Sequence, residues 1–346
     1  MRQLVLFLTL CSTANLFAAG LTGKLPPVNG IIQAFAVDGD VAYAAVRDNS
    51  SDPYTRIQRY ADGAWTSLSA TITGSVYTMT VGQGNLYIGG SFHLDDHAVT
   101  MENLAMWSSY NWSALGEGID GSVYALAMEG ERLYVGGAFT NAGGLGLTAD
   151  PCGGPVIAKT DGIAVWDRGN WQALGQGVDG IVTAIAIEGT TVYAGGKFSR
   201  ADGAPANGIA AWDGQQWQPM GDGLTGTVYS IAVNGTAVYA GGQLTASGEV
   251  VLANIAAWDG LSWSPLSQGI DGIVGALSYY QGTLLVGGHF QATQTQSFDY
   301  LAKWDGKSWD RAANAPAGPL TGLVRVSGGC YASSEDSSDS LIFVAD

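Results

Sequence analysis

The sequence is poor in charged residues, in cysteine and in histidine. Only 13% of its 346 residues are charged, and there are three cysteines and three histidines. With 14 lysines and arginines and a formal net charge of −16, the chain lacks the cations needed to displace counterions from a phosphate backbone. No run after the first 20 residues is apolar for long enough to span a bilayer as a helix. These absences exclude nucleic acid and anionic membranes as expected partners.

Glycine and aromatic residues are abundant instead. The chain has 51 glycines, 15 tyrosines and 11 tryptophans, and 47% of its residues are hydrophobic. That hydrophobic content is too high for a disordered chain. Many short strands joined by glycine turns explain the composition better.

The first 19 residues have the pattern of a signal peptide. Arg2 is followed by the apolar run Leu4–Leu10, and small residues precede a cleavage site near Ala19. A lipoprotein anchored at Cys11 is the alternative, but the residue before this cysteine is larger than such signals use. We therefore expect a secreted or periplasmic protein whose mature chain begins near residue 20.

A repeated unit occupies the rest of the chain. A Trp-Asp pair recurs every 46 residues, and a second tryptophan follows five residues after the first. The clearest pairs are Trp212/Trp217, Trp258/Trp263 and Trp304/Trp309, with looser copies at Tyr60/Trp65, Trp107/Trp112 and Trp166/Trp171. A Tyr-x-Gly-Gly element begins at Tyr87, Tyr134, Tyr193 and Tyr239, with Leu285 in the equivalent place of a later copy.

Each unit predicts four short strands. In the best-defined copy these are Val182–Ile187, Val192–Gly196, Ile209–Trp212 and a strand that starts at Trp217. Four antiparallel strands repeated radially form the blades of a β-propeller. The first strand should be innermost, which explains its small residues, and the tryptophans should pack between neighbouring blades.

The ends of the chain predict how the ring closes. The last copy stops where the others have Trp-Asp, so it lacks a fourth strand, and Leu21 aligns with Trp217 at the start of a fourth strand. We predict an all-β, seven-bladed propeller formed by residues 20–346, in which the N-terminal strand completes the last blade and removes two open sheet edges. The expected blades are 30–74, 75–121, 122–180, 181–226, 227–272, 273–318 and 319–346 plus 20–29.

The order of these elements resembles the kelch-type repeat. Kelch units have a Gly-Gly doublet, then an aromatic residue, then a tryptophan after a turn. The chain is also similar to the propellers of Rax2-type cell-surface proteins and of secreted bacterial repeat proteins. Galactose oxidase has a kelch-type propeller with a copper site of Tyr and His ligands and a Cys–Tyr crosslink, and no matching set occurs in this sequence.

A cluster in the second unit could bind a divalent metal. His93, Asp95, Asp96 and His97 place two imidazoles and two carboxylates within five residues. The spacing matches no zinc signature, and we favour the interpretation of a solvated polar loop. We expect no cofactor, with a divalent cation bound by this cluster as the alternative.

The third unit contains an insertion of 13 residues that could carry a binding loop. Asn141 and Asp150 are its candidate ligand-binding residues, and a tolerated insertion is an equal alternative. Cys152 lies in the same insertion, whereas Cys330 lies in the last unit. Because these units fall nearly opposite each other in the ring, we predict no disulfide between the two cysteines.

A repeated Asp-Gly dipeptide could line the channel with carboxylates, but turn chemistry alone explains it. Its members are Asp120, Asp179 and Asp271. No catalytic residues are predicted. We expect a monomeric, non-catalytic extracellular binding or scaffold module for an unidentified protein or glycan. A carbohydrate-binding or carbohydrate-active propeller and a metal-dependent oxidoreductase or hydrolase are the alternatives.

Overall fold

The computed structural model describes residues 21, 25–49, 51–68, 70–96, 99–108, 110–143, 160–293, 297–298, 300–312, 318–326, 329–334 and 341–345. All regular elements in these ranges are β-strands. Across the same ranges, no helix is long and apolar enough to cross a membrane. The predicted signal peptide lies outside the described residues.

The first eight strands belong to one sheet. They are β1 (Ile31–Asp38), β2 (Val41–Arg47), β3 (Tyr54–Ala61), β4 (Ala64–Ser67), β5 (Thr71–Gly82), β6 (Asn85–Asp96), β7 (Val99–Ser108) and β8 (Asn111–Ser113). The sequence predicts two separate four-stranded blades here. They are joined because β5 and β6 extend further than in other units, and the start of β5 pairs with β3 through Tyr54 and Thr55.

The following strands form four-stranded antiparallel units with small additions. They are β9 (Ser122–Glu129), β10 (Arg132–Ala138), β11 (Ile163–Asp167) and β12 (Asn170–Ala173); β13 (Ile181–Glu188), β14 (Thr191–Lys197), β15 (Arg200–Ala201), β16 (Ala204–Pro205), β17 (Ile209–Trp212) and β18 (Trp217–Pro219); β19 (Thr225–Asn234), β20 (Ala237–Ser247), β21 (Val250–Val251), β22 (Ile255–Trp258) and β23 (Trp263–Pro265); and β24 (Ile273–Tyr280), β25 (Thr283–His289), β26 (Leu301–Trp304) and β27 (Trp309–Arg311). The strands predicted within 182–217 are confirmed to within one residue.

The last sheet has three strands in the described residues. They are β28 (Leu320–Val326), β29 (Gly329–Ser334) and β30 (Leu341–Ala345). Neither Leu21 nor residues 25–28 form a strand. Leu21, Leu25 and Val28 instead pack in one hydrophobic cluster with Tyr331 and Phe343 of this sheet. The predicted pairing of an N-terminal strand with β30 stays a prediction.

The Gly-Gly doublet is explained by two close approaches. A Cβ on Gly195 would lie 2.6 Å from Cγ1 of Val228 in the next sheet, and a Cβ on Gly196 would collide with the carbonyl oxygen of Ile181 in its own sheet. The doublet therefore lets the next sheet pack closely and lets the first strand approach the second closely at the β-bulge. The same contacts recur at Gly89–Gly90, Gly136–Gly137, Gly241–Gly242 and Gly287–Gly288.

The second tryptophan of most pairs bonds to the preceding unit of the repeat. Trp217 is 5% exposed, packs in a cluster with residues of the preceding sheet, and donates its Nε1–H to the carbonyl oxygen of Leu174 at 2.8 Å. The prediction that the tryptophans pack between units is confirmed. Equivalent hydrogen bonds join Trp171 to Leu115, Trp263 to Met220, Trp309 to Leu266 and Trp65 to Pro26.

The first strands of successive units lie against one another. β1 contacts β5, and contacts then continue from β5 to β9, β13, β19, β24 and β28; β28 also contacts β1. Small residues permit this proximity, since Ala125 and Ala184 are at most 2% exposed. The chain is thus a succession of similar sheets packed side by side through their first strands.

Candidate functional site

A β-bulge recurs at one position in every first strand. In each case the pairing with the second strand skips one residue of the first strand, at equivalent positions of the repeat. A bulge leaves the extra residue out of the ladder and re-aims its side chain. The skipped residues are Gln33, Tyr77, Tyr124, Thr183, Tyr229, Gly275 and Thr321.

These bulges lie near the side of the sheets on which first strands begin and second strands end. We call it the loop face, because the connections from fourth to first strands and from second to third strands lie there. The bulge position is not required to be aromatic, since glycine and threonine also occupy it. Three tyrosines at this position are therefore candidates for a role other than blade packing.

Two of the tyrosines stack across neighbouring units. The rings of Tyr77 and Tyr124 have centroids 5.4 Å apart and an interplanar angle of 28°, and both side chains are partly exposed. Burial raises the pKa of Tyr77, and a hydrogen bond with Ser75 opposes that rise without cancelling it. Tyr77 consequently keeps its hydroxyl proton at neutral pH.

Arg47 lies beside this pair, at the end of β2. Its Nη2 donates to the carbonyl oxygen of Gly74 at 2.6 Å and to Oγ of Ser75 at 3.0 Å. The Nε is buried without a hydrogen-bond partner. The Oγ1 of Thr55 lies 2.7 Å from the same Gly74 carbonyl oxygen and 2.8 Å from Oε1 of Gln33, so its single proton is shared between these acceptors. The wall of the loop face between the first two units is therefore built from neutral groups around one arginine.

The repeated aspartates serve as local caps. Asp179 accepts hydrogen bonds from Ser199 N at 2.7 Å, Ser199 Oγ at 2.6 Å and Arg200 N at 2.8 Å. Asp271 likewise accepts from two backbone amides, those of Gln291 and Ala292. In the units that carry the aspartate, these bonds tie the start of the first strand to the loop after the second strand, which supports the structural interpretation over a ring of cation ligands.

The insertion of the third unit, as far as the structure describes it, forms a cap of the same kind. Asn141 donates its Nδ2 to Asp120 at 2.8 Å and its backbone amide to the same carboxylate at 3.0 Å. Burial acts to raise the pKa of Asp120, but hydrogen bonds from Thr140 and Asn141 outweigh it and leave the pKa lowered. Asp150 and Cys152 lie outside the described residues.

The candidate metal cluster lies in a strand, contrary to the predicted loop. His93, Asp95 and Asp96 belong to β6, which pairs with β7 so that His93 faces Glu102. The long hairpin forms because Thr, Val and Phe residues with high strand propensity continue the alternation past the Gly-Gly doublet. His97 lies outside the described residues.

Both ring nitrogens of His93 are engaged by carboxylates. Nδ1 is 2.6 Å from Glu102 Oε1, and Nε2 is 3.2 Å from Asp95 Oδ2. The hydrogen bond with Glu102 is the main reason that the pKa of His93 is raised. No group of three metal-binding side chains occurs among the described residues.

Cys330 is fully buried in the last sheet, and its Sγ lies 3.5 Å from the carbonyl oxygen of Tyr331. Cys152 lies outside the described residues, so the absence of a disulfide between Cys152 and Cys330 stays a prediction.

Comparison with known families adds to this geometry. A sequence profile for the family described as "Rax2 C-terminal beta propeller domain" matches residues 168–340, which is half of the chain. The chain belongs to this Rax2 propeller family. The match runs from the turn before β12 to the residue before β30, so it covers the most regular copies of the unit. None of the curated proteins matches the chain in sequence.

Several solved structures are similar to this Rax2-family chain, and one of them is described as a β-propeller. The chain resembles the computationally designed Ika8 protein (15% identity, 93% of this chain and 98% of that chain, TM-score 0.53). It also resembles the WD40 β-propeller domain of Doa1 (13% identity, 95% and 96%, TM-score 0.54) and YCF48 bound to a peptide (14% identity, 93% and 96%, TM-score 0.55). At these identities the likeness concerns the fold alone.

The sequence analysis missed Arg47 and the bulge tyrosines. A signal was present: when the copies are aligned, the position after the first apolar residue of each first strand varies between Gly, Thr, Gln and Tyr. Internal variability in an otherwise regular repeat marks positions that packing does not fix. Recognising the bulge itself requires the pairing register, which the sequence does not display.

Proposed function

We propose that the chain forms a closed ring of seven blades. The first strands contact each other in succession and β28 contacts β1, which supports a ring. The last sheet has one strand fewer than the others in the described residues, and Leu21, Leu25 and Val28 pack beside its Tyr331 and Phe343. The N-terminal segment then supplies the fourth strand, and the repeat unit is a short relative of the kelch type.

We further propose that the protein is exported and loses its leader near Ala19. Cleavage there leaves Leu21 and Leu25 in the mature chain, where both can pack against the last sheet. Export and ring closure are thus connected, because the new N-terminus is part of the fold.

The function that we propose is non-catalytic binding or scaffolding at the loop face, with the ligand at the mouth of the central channel. The observation that carries it is the partly exposed Tyr77–Tyr124 pair at a bulge position that packing leaves free. A rigid repeat scaffold suits this role, since binding residues need a fixed frame. YCF48, one of the structural neighbours, is seen bound to a peptide.

Carbohydrate binding or carbohydrate processing remains the second candidate, because tyrosine faces at a channel mouth suit sugar rings. A metal-dependent oxidoreductase or hydrolase is less well supported, because His93 is occupied by Glu102 and Asp95.

Two arrays and two matched variants test the proposal. The mature protein is applied to a glycan array and to an array of peptides from secreted proteins, together with a Tyr77→Ala/Tyr124→Ala variant and a Tyr110→Ala variant. Tyr110 is 88% exposed in the hairpin between β7 and β8, on the opposite side of the sheets. Binding that is lost only in the double variant supports the loop face. Binding that is lost in Tyr110→Ala but kept in the double variant, or no binding on either array, contradicts it.

A further inference from the structure

Two sets of positions on the loop face carry no acidic side chain, whereas the capping aspartates on the same face have their carboxylates hydrogen-bonded within the caps. The chain has 30 acidic residues against 14 lysines and arginines, yet none of the bulge residues is acidic. The residues that follow the doublet position in the first six copies are also free of carboxylates. They are Arg47, Ser91, Ala138, Lys197, Gln243 and His289; the equivalent residue of the last copy, Glu335, lies outside the described residues.

Arg47 is the most enclosed of these cations. It is partly buried, and in the described part of the chain it forms hydrogen bonds with neutral oxygens and no ion pair. The nearest carboxylate in sequence, Asp48, is paired with Arg56. The positions that carry capping aspartates in other units are Asn29 and Thr73 here. The guanidinium of Arg47 therefore keeps a positive charge that no carboxylate of the described residues pairs with.

The hydroxyl groups of the neighbouring tyrosines, like Arg47, favour an anionic ligand. The Tyr77 and Tyr124 hydroxyls can donate to an anion, and the partly exposed faces of their rings can pack against a flat group. Arginine and tyrosine together offer a carboxylate several donors and no competing negative charge.

We propose that Arg47, Tyr77 and Tyr124 form a binding site for the carboxylate of a ligand that carries this group on or beside a ring. The proposal rests on the proposed function at the loop face, and it specifies the chemistry of the ligand. Acidic sugars and aromatic acids share that chemistry.

Four small probes in two matched pairs separate these sources. D-glucuronate is compared with D-glucose, and benzoate with benzyl alcohol, by saturation-transfer NMR and isothermal titration on the mature protein. In each pair the carboxylate is exchanged for a neutral group. We expect at least one acid to bind about tenfold or more tightly than its neutral partner, since a hydrogen-bonded charge pair is lost with the carboxylate. Binding of D-glucuronate indicates an acidic sugar as the ligand, and binding of benzoate indicates an aromatic acid.

Matched variants locate the site. Arg47→Gln should abolish the preference for the acid, and Arg47→Lys should keep part of it. Lys197→Gln makes the same charge change at the equivalent position of another unit and should leave the preference unchanged. Tyr124→Phe removes one hydroxyl without disturbing Arg47, so it provides a second test should Arg47→Gln fail to fold.

Three results would overturn the proposal: equal binding of acids and neutral partners, no binding of any probe, or equal loss in Arg47→Gln and Lys197→Gln. The first leaves a loop-face site of another chemistry, so the proposed function survives it. Only the array experiment with the tyrosine and Tyr110 variants decides that broader function.

Discussion

The indole Nε1–H of Trp65 donates a hydrogen bond of 2.9 Å to the carbonyl oxygen of Pro26. In later units the equivalent tryptophan bonds to the residue that directly follows the fourth strand of the preceding sheet, as Trp263 does to Met220 at 3.0 Å. Pro26 thus accepts the kind of bond that a residue after a fourth strand accepts in those units. This equivalence supports the proposal that the N-terminal segment completes the last sheet.

Loss of an inter-sheet indole bond should cost stability. Trp217 bonds to Leu174, whereas the equally buried Trp112 has an Nε1 without a partner. Both variants, Trp217→Phe and Trp112→Phe, remove the same volume. We expect the free energy of unfolding to fall by about 1 kcal/mol more in Trp217→Phe, as measured by urea denaturation. Equal losses would show that the bond contributes nothing beyond packing.

Close packing at the first glycine of the doublet should make Gly195→Ala destabilising by about 1–3 kcal/mol. The new methyl group would meet Val228 of the next sheet. Val228→Ala leaves a cavity when introduced alone but creates room for that methyl group. The double variant should thus lose less stability than the two single losses combined. Additive losses in urea denaturation would argue against contact between the two positions.

The fold was predictable to a large extent because the repeat displays it directly. The strands around Trp212 and Trp217, and the three strands that the described residues form in the last sheet, follow from spacing alone. The joining of the first two units by β3 and β5 was not predictable, since it depends on how far β5 extends beyond its unit. The prediction that His93 lies in a loop was wrong. An Asp-rich segment is typical of a loop, and the sequence does not show how far β6 extends.

The candidate site was much less predictable. Asn141 was singled out as a candidate ligand-binding residue. In the structure its side chain donates to Asp120, and ligand binding by this residue stays a prediction. The environment of Arg47 comes from Gly74 and Ser75, which are 27 and 28 residues away in the sequence. Pairing register brings these residues together, and composition carries no trace of it.

The acid stability of the fold should depend on Asp179. Burial tends to raise the pKa of this residue, but the hydrogen bonds from Ser199 and Arg200 outweigh it, so the folded pKa lies below the ordinary 3.8. Its stabilising effect is therefore present above about pH 4 and is lost as the pH falls through the folded value. Asp179→Asn should lower the unfolding midpoint at pH 7, and the difference from the parent should shrink in acid. Asp40→Asn, in an exposed turn, is the control. A constant difference down to pH 2 would contradict the prediction.

The hairpin of β6 and β7 should respond to pH in the opposite sense. The pKa of His93 is raised, chiefly by its hydrogen bond with Glu102. Its stabilising effect is complete below the unfolded value of about 6.5 and is lost as the pH rises through the folded value. NMR titration of the imidazole should give a pKa above 6.5, and Glu102→Gln should lower it. A pKa that does not move in this variant would mean that the pair does not form in solution.

Completion of the last sheet by the N-terminal segment is tested most directly by amide hydrogen exchange in β30. We compare a chain of residues 20–346 with a chain of residues 29–346, and follow the amides of 341–345 that do not bond to β29, with β22 as an internal control. We expect these amides to be protected in the longer chain, to exchange rapidly in the shorter one, and to regain protection when a peptide of residues 20–28 is added. Identical exchange in the two chains would contradict it.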